Sequence, residues 1–308
     1  MITGKQIESI MTRKFTAFGI SKPSLDSKYI SRYRSWLEKG YYADMSWMVK
    51  SAADRFDIRR KFPWVKAILV GLDNYYSPPF FTKSGLRFSG YALGIDYHVL
   101  VKEKLETALV QIRNVDPDVR GRVYVDTGSF MEKAYAEQAG LGWIAKNGLF
   151  IAENIGSYCF IGIILLSIEL PVTGSAVNRC GSCRKCLESC PTGAIVAPGM
   201  IDARRCISYL TVEKRGVFSE QEAEWLNGWV YGCDVCQEVC PWNIRWQKVT
   251  SDERYTDNRT KICRLLEFGN GINMDKFKAV FKNSAVKRLK FENWIRNIDT
   301  VFRNAPGH

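Results

Sequence analysis

Apolar positions in this chain come in two periods. Residues 67–72 (AILVGL) and 159–168 are short, nearly continuous apolar runs, the pattern of buried strands. Between them Leu100, Val101, Leu105, Leu109 and Ile112 recur at helical spacing, which predicts an amphipathic helix over 96–113. Residues 121–125 (GRVYV) predict a further strand and 129–139 a helix, and the glycines of 140–151 predict tight backbone turns. Residues 1–60 read as helical, with 29–39 the clearest stretch, and 73–90, rich in Pro, Ser and aromatics, as a loop. Helix alternating with strand over 60–170 indicates an α/β or α+β layer. The polar, basic stretch 246–308 carries helical segments such as 274–281.

The 308 residues, 46% hydrophobic, suffice for two domains and a large core. The N-terminus mixes Lys5, Glu8, Arg13 and Lys14 into a helical pattern, without the apolar stretch of a signal peptide. The run 159–168 is too short to cross a bilayer, so the expectation is a cytoplasmic protein with no membrane partner. A net charge of +12 and a pI near 9.2 fit either a solvated basic surface or a polyanionic partner such as nucleic acid. Only two histidines are present, so imidazole chemistry rests on His98 and the terminal His308. Nothing in the sequence demands more than a monomer.

Cysteine spacing narrows the chemistry. Cys180, Cys183, Cys186 and Cys190 read C-x2-C-x2-C-x3-C-P, and Cys233, Cys236 and Cys240 read C-x2-C-x3-C-P, with Cys206 between the groups. Eight thiols in this order match two [4Fe–4S] clusters of the bacterial ferredoxin type, in which the last cysteine of each run serves the other cluster. The first cluster then takes Cys180, Cys183, Cys186 and Cys240, and the second Cys190, Cys206, Cys233 and Cys236. C-x2-C pairs also build zinc sites, but the repeated x3-C-P ending favours iron–sulfur. Disulfides do not suit a chain without a secretory signal. Cys159, in an apolar run, and Cys263 lack partners at ligand spacing and read as buried or half-buried thiols.

Four further features have both structural and chemical readings. Asp126 ends a strand and opens the turn DTGS, where a helix cap is the commoner use and a proton donor the alternative. The GLGWIAKNG stretch meets neither the G-x-G-x-x-G nor the P-loop pattern. Asp96-Tyr97-His98 stands at a helix start and reads as a capping Asp with a structural His; Val101 replaces the Gly of the D-x-H-x-x-G cobalt-ligand pattern. In the basic segment 282–303, Phe291 and Trp294 either stack on bases or pack inward.

Together these residues resemble the epoxyqueuosine reductase family over about 53–297. The motifs that carry the resemblance are ADR (53–55), S-x-Y-A-x-G-x-D-Y-H (89–98), VDTG (125–128), AYAEQAGLGWIAKN (134–147), GSYCF (156–160), ARRCISYLT (203–211) and YGCDVCQEVCPWN (231–243). Gly90, where members often carry a basic residue, and the lack of a C-terminal helical-repeat extension are departures that bear on substrate contacts. The resemblance implies reduction of epoxyqueuosine at the tRNA wobble position to queuosine, the last step in making that base. It implies cobalamin and two [4Fe–4S] clusters as cofactors, an external low-potential electron donor, and an anticodon stem–loop as partner. It assigns the proton donor to Asp126, and cobalamin contacts to Arg55, Ser89, Asp126, Ser157 and Ser208. It makes Lys214, Lys287, Arg288 and Arg296 candidate tRNA contacts. The expected fold is an α/β (α+β) cobalamin-binding catalytic domain over 1–171, a ferredoxin-like two-cluster domain over 172–245 and a basic helical segment over 246–308 that packs on the core and contacts tRNA. A reductive dehalogenase-like reductase acting on a small molecule is the alternative; a bare ferredoxin-like carrier leaves the long flanking regions without a use.

Overall fold

The computed structural model describes residues 2–267 and 271–304; His308 lies outside the described residues. Helix α1 (Gly4–Thr12) opens on a capping box between Thr3 and Gln6. Strand β1 (Ala17–Ser21) follows, which corrects the helical reading of residues 1–60. Its backbone pairs antiparallel from Ala17↔Leu72 to Ser21↔Ile68, so a long-range ladder overrides local propensity here. Helices α2 (Ser27–Glu38), α3 (Ser46–Lys50) and α4 (Ala52–Phe56) complete this region.

Strand β2 (Ala67–Asn74) forms where the apolar run places it. The loop over 73–90 contains two short strands, β3 (Phe80–Phe81) and β4 (Arg87–Phe88). Helix α5 (Tyr97–Val115) is capped by Asp96, whose carboxylate accepts from the His98 N–H. Next come β5 (Gly121–Tyr124), α6 (Glu132–Gln138), a hairpin of β6 (Gly142–Ile144) with β7 (Phe150–Ala152), and β8 (Cys159–Leu166).

The main sheet has the order β1-β2-β8-β5 with every pair antiparallel, so of the two expected layer types the α+β form is observed. Alternate residues of β2 serve opposite cores. Ala67 and Leu69 pack with Leu100, Val101 and Leu105 of α5, whereas Ile68, Val70 and Leu72 pack with Ala134 and Tyr135 of α6. Gly162 lets α5 approach, because a Cβ there would stand 2.8 Å from Val101 and 2.9 Å from Leu105.

The remaining elements are α7 (Lys185–Glu188), β9 (Ile195–Ala197), β10 (Met200–Ile201), α8 (Ile207–Val212), α9 (Glu220–Trp225), β11 (Trp229–Tyr231), α10 (Val235–Glu238) and α11 (Pro241–Trp246). The C-terminal part adds α12 (Arg259–Glu267), α13 (Met274–Phe281) and α14 (Phe291–Arg303). These last helices share one core with β4, α8 and β11. Strand β11 pairs in parallel with β4, and Phe88 stacks on Tyr231 at 5.1 Å. Trp294 is fully buried against Phe281, so it packs inward and is not free to stack on bases. Phe291 is half-buried against Phe277. The hydrophobic cores therefore run across positions 171 and 245 rather than dividing there. No helix among the described residues is long and apolar enough to cross a membrane.

Candidate functional site

Ten free cysteines are present, and eight of them form two groups. The Cys186 thiol is pushed up to about 11, by burial and then by Cys180, Cys240 and Cys183. Cys236 is raised by burial and then by Cys233, Cys206 and Cys190. The structure thus brings together the two sets that the swapped ligand pattern defines. Thiols crowded this way resist ionising by themselves, and iron relieves the crowding by binding the thiolates. Cys206 and Cys240 occupy the N-cap positions of α8 and α11, with Pro241 at the first turn of the latter. Backbone N–H groups of Ser208 and Tyr209 point at the Cys206 sulfur, and those of Trp242 and Asn243 at Cys240. Such N–H···S bonds favour thiolate and tune a cluster's potential. Cys159 bonds weakly to the Gly156 carbonyl, and Cys263 approaches Glu267; both stand apart from the eight.

The glycine-bearing hairpin β6–β7 grips both cysteine loops. Trp143 Nε1 donates to Cys180 Sγ at 3.4 Å, and Lys146 Nζ to the carbonyls of Gly181 and Cys183 at 2.6 and 2.8 Å. Asn147 Nδ2 donates to the Cys236 carbonyl at 3.2 Å. Sequence reasoning found these residues only as turn formers; the signal was a Trp, a Lys and an Asn spaced along an otherwise small-residue turn.

Asp126 is not a helix cap, because α6 begins later and is entered through Met131. Its backbone lies at φ 51°, in the left-handed region, which turns the side chain outward. The carboxylate is exposed, and Tyr97 Oη donates to its Oδ2 at 2.7 Å. Burial, then Asp126, push the Tyr97 phenol far above its ordinary value, so it remains a donor. Glu132 lies beside this turn with a buried Oε1 that has no hydrogen-bond partner among the described residues. Burial and the Asp126 charge raise its pKa to about 7. Arg55 donates through Nη1 to the Phe130 carbonyl at 2.7 Å and so ties α4 to the Asp126 loop.

Ser89 and Ser157 meet in one buried polar network that continues into the second cluster loop. Ser89 Oγ donates to Asp234 Oδ1 at 2.5 Å, and the Gly90 N–H to Oδ2 at 2.8 Å. Gln237 Nε2 donates to Asp234 Oδ1 at 3.2 Å and its Oε1 accepts from Ser157 Oγ at 2.9 Å. Asn243 closes the network, donating to Ser157 Oγ at 2.8 Å and accepting from its N–H at 2.6 Å. Gly156 (φ 88°) permits this, since a Cβ would stand 2.5 Å from Asn243 Oδ1. Burial raises Asp234 to about 6 despite these bonds. Asp234, Gln237 and Asn243 were not singled out beforehand, although each lies within three residues of a ligand cysteine. Ser208 is half-buried in the first turn of α8.

The four candidate tRNA contacts divide. Lys287 and Arg288 are half-exposed and pair with Asp96 at 3.1 Å and Glu213 at 2.8 Å. Lys214 is largely covered and pairs with Glu222 at 2.8 Å. Arg296 bonds to the carbonyls of Lys214, Gly216 and Leu210, so its guanidinium is committed to holding a loop, which argues against a tRNA role.

An α+β scaffold with two four-thiol groups and an exposed carboxylate turn points to the class of two-cluster iron–sulfur oxidoreductases. Residues 179–243 match the 4Fe-4S double cluster binding domain, and 55–127 match the model described as epoxyqueuosine reductase QueG, DUF1730. The chain is 38% identical to the epoxyqueuosine reductase of Atelocyanobacterium thalassa, over 92% of this chain and 93% of that protein. It is 40% identical to that of Synechocystis sp., over 84% and 90%. A crystal structure of epoxyqueuosine reductase with a tRNA-Tyr epoxyqueuosine-modified stem loop superposes with a TM-score of 0.86 at 27% identity, covering 97% of this chain and 80% of that one. The chain belongs to the epoxyqueuosine reductase family.

Proposed function

We propose that this protein reduces epoxyqueuosine in the anticodon stem–loop of tRNA to queuosine, with Asp126 as proton donor to the epoxide oxygen. The observation that carries the proposal is the meeting of family and site: the eight cysteines of the double-cluster match fall into two sets, and a Tyr97-held carboxyl stands at the mouth of the sheet. Removing an epoxide oxygen as water takes two electrons and two protons. Two one-electron clusters suit that demand, fed by an external low-potential donor. Cobalamin, when bound, supplies metal-centred electron delivery to the substrate.

Arg55, Ser89, Asp126, Ser157 and Ser208 are the residues proposed to hold it. The fit rests on Glu132: a buried carboxyl oxygen without a partner among the described residues, next to Asp126, suits the amide-rimmed edge of a corrin. Tyr97 orients the Asp126 carboxyl and leaves Oδ1 without a hydrogen bond among the described residues. The proton is passed from that oxygen. We retain 172–245 as the cluster-bearing part, 1–171 as the catalytic part and 246–308 as the part that meets tRNA through Lys287 and Arg288. The protein is proposed to act as a monomer in the cytoplasm, where its tRNA substrate is found.

The test is anaerobic incubation of the iron- and cobalamin-loaded protein with an epoxyqueuosine stem–loop, followed by nucleoside mass spectrometry. Wild type is expected to form queuosine. Asp126→Ala is expected to keep iron and cobalamin and form none; normal turnover by that variant would remove Asp126 from its role.

A further inference from the structure

The atom balance of the reaction exposes a gap. Two protons must reach one oxygen, and Asp126 carries one at a time. The neighbour able to refill it is His98. Its Nε2 stands 3.9 Å from Asp126 Oδ2, one small rotation or one bridging water from contact. Its Nδ1 is held 2.7 Å from Asp96 Oδ1, which orients the ring. Asp96 in turn meets Lys287 Nζ at 3.1 Å through its other oxygen.

The ring is fixed as well as paired. His98 stacks on Tyr97 at 4.1 Å, and Tyr97 stacks on Phe160 at 4.3 Å. On its other side His98 lines an open groove of about 670 Å³ together with Lys102, Glu106, Arg113, Arg122 and Thr127. The imidazole therefore borders both the groove and the proton donor.

We propose that His98 is a proton-relay residue that reloads Asp126 from solvent, so that one carboxyl serves both protonations of a turnover. This rests on the reductase reading above. After Asp126 gives its proton to the epoxide oxygen, the Nε2–H bond of the His98 imidazolium breaks and an O–H bond forms on Asp126. The imidazole, still bonded to Asp96 through Nδ1–H, regains a proton from water in the groove. The second Asp126 proton completes the departing water, and the two electrons come from the clusters. Asp96, Asp126 and Tyr97 contact or approach the ring, Lys287 bears on Asp96, and Lys102, Glu106, Arg113 and Arg122 share the groove it lines. Against the raising effect of burial, hydrogen bonds from His98 and Lys287 hold Asp96 down at about 2, so it is an anion throughout the working range.

The test compares wild type, His98→Gln and His98→Ala as loaded holoenzymes on the epoxyqueuosine stem–loop, with substituted imidazoles of graded basicity added. Loss of the relay is expected to lower kcat about a hundredfold with KM unchanged, in line with general acid–base contributions. Imidazoles are expected to restore His98→Ala in proportion to their acidity, and not to restore Asp126→Ala. A second readout does not use turnover: in ¹⁵N-histidine spectra of the iron-loaded protein, Asp126→Ala should move the Nε2 resonance of His98. Wild-type rates in both His98 variants, or a lowered rate that no imidazole restores, would overturn the relay. If His98→Ala fails to fold, His98→Gln at the wild-type rate overturns it equally. An inactive wild-type holoenzyme would overturn the reductase reading and the relay with it, whereas active wild type with unaffected variants removes the relay alone.

Discussion

Glu132 shows what a single residue costs this fold. Its ordinary pKa of 4.5 rises to about 7 through burial and the nearby Asp126 charge. The folded chain then binds more protons than the unfolded one between those values, so the Glu132 contribution erodes stability as pH rises from about 4.5 to 7. Glu132→Gln is expected to unfold at a higher temperature than the parent at pH 8, with the difference vanishing near pH 4.5; equal gaps at both pH values in calorimetry would contradict this. The two cysteine sets were legible because the spacing of thiolates follows from cluster geometry. Asp126 was less so: its position alone suggested a cap, the VDTG resemblance pointed to a proton donor, and the left-handed backbone and the Tyr97 bond set it apart from a cap. Glu132 was not legible, since a glutamate in a helix usually faces water and its burial depends on packing remote in sequence.

Among the elements, the β6–β7 hairpin links the sheet to the clusters. Lys146 supplies two of its bonds, both to the first cysteine loop. Lys146→Ala is expected to hasten loss of the first cluster to a chelator while sparing the second, measured by the decay of iron absorbance and by residual iron; equal decay of both clusters would contradict the assignment. Cys186→Ala should lose the first cluster outright, and eight irons retained in that variant would refute the ligand sets. Helix α5 supplies both the core and the relay. Leu105→Ala, which empties a fully buried site, is expected to cost about 2–5 kcal/mol in denaturant unfolding. The period of α5 and the apolar runs of β2 and β8 were plain in the sequence. Strand β1 was not, because five residues with an interior glycine carry too little local signal and owe their conformation to β2.

For the molecule as a whole, the charge of +12 suits a polyanionic partner, but three of the four candidate tRNA cations, Lys214, Lys287 and Arg288, already have acidic partners. Lys287 and Arg288 can exchange their partners for phosphate, because both remain half-exposed. Replacing both by Ala is expected to weaken stem–loop binding and to lower the slope of log affinity against log salt by about one to two. An unchanged slope would place the tRNA elsewhere. The sequence marked a catalytic part, a cluster part and a tail. The C-terminal helices nevertheless complete a core begun at β4, a joining of distant segments that no local pattern announces. Eight thiols are proposed to hold two iron–sulfur clusters that serve a cobalt cofactor. Elemental analysis of protein purified and loaded without oxygen tests this most directly: eight irons and one cobalt per chain are predicted, and stoichiometric zinc, or no cobalt taken up from cobalamin, would contradict it.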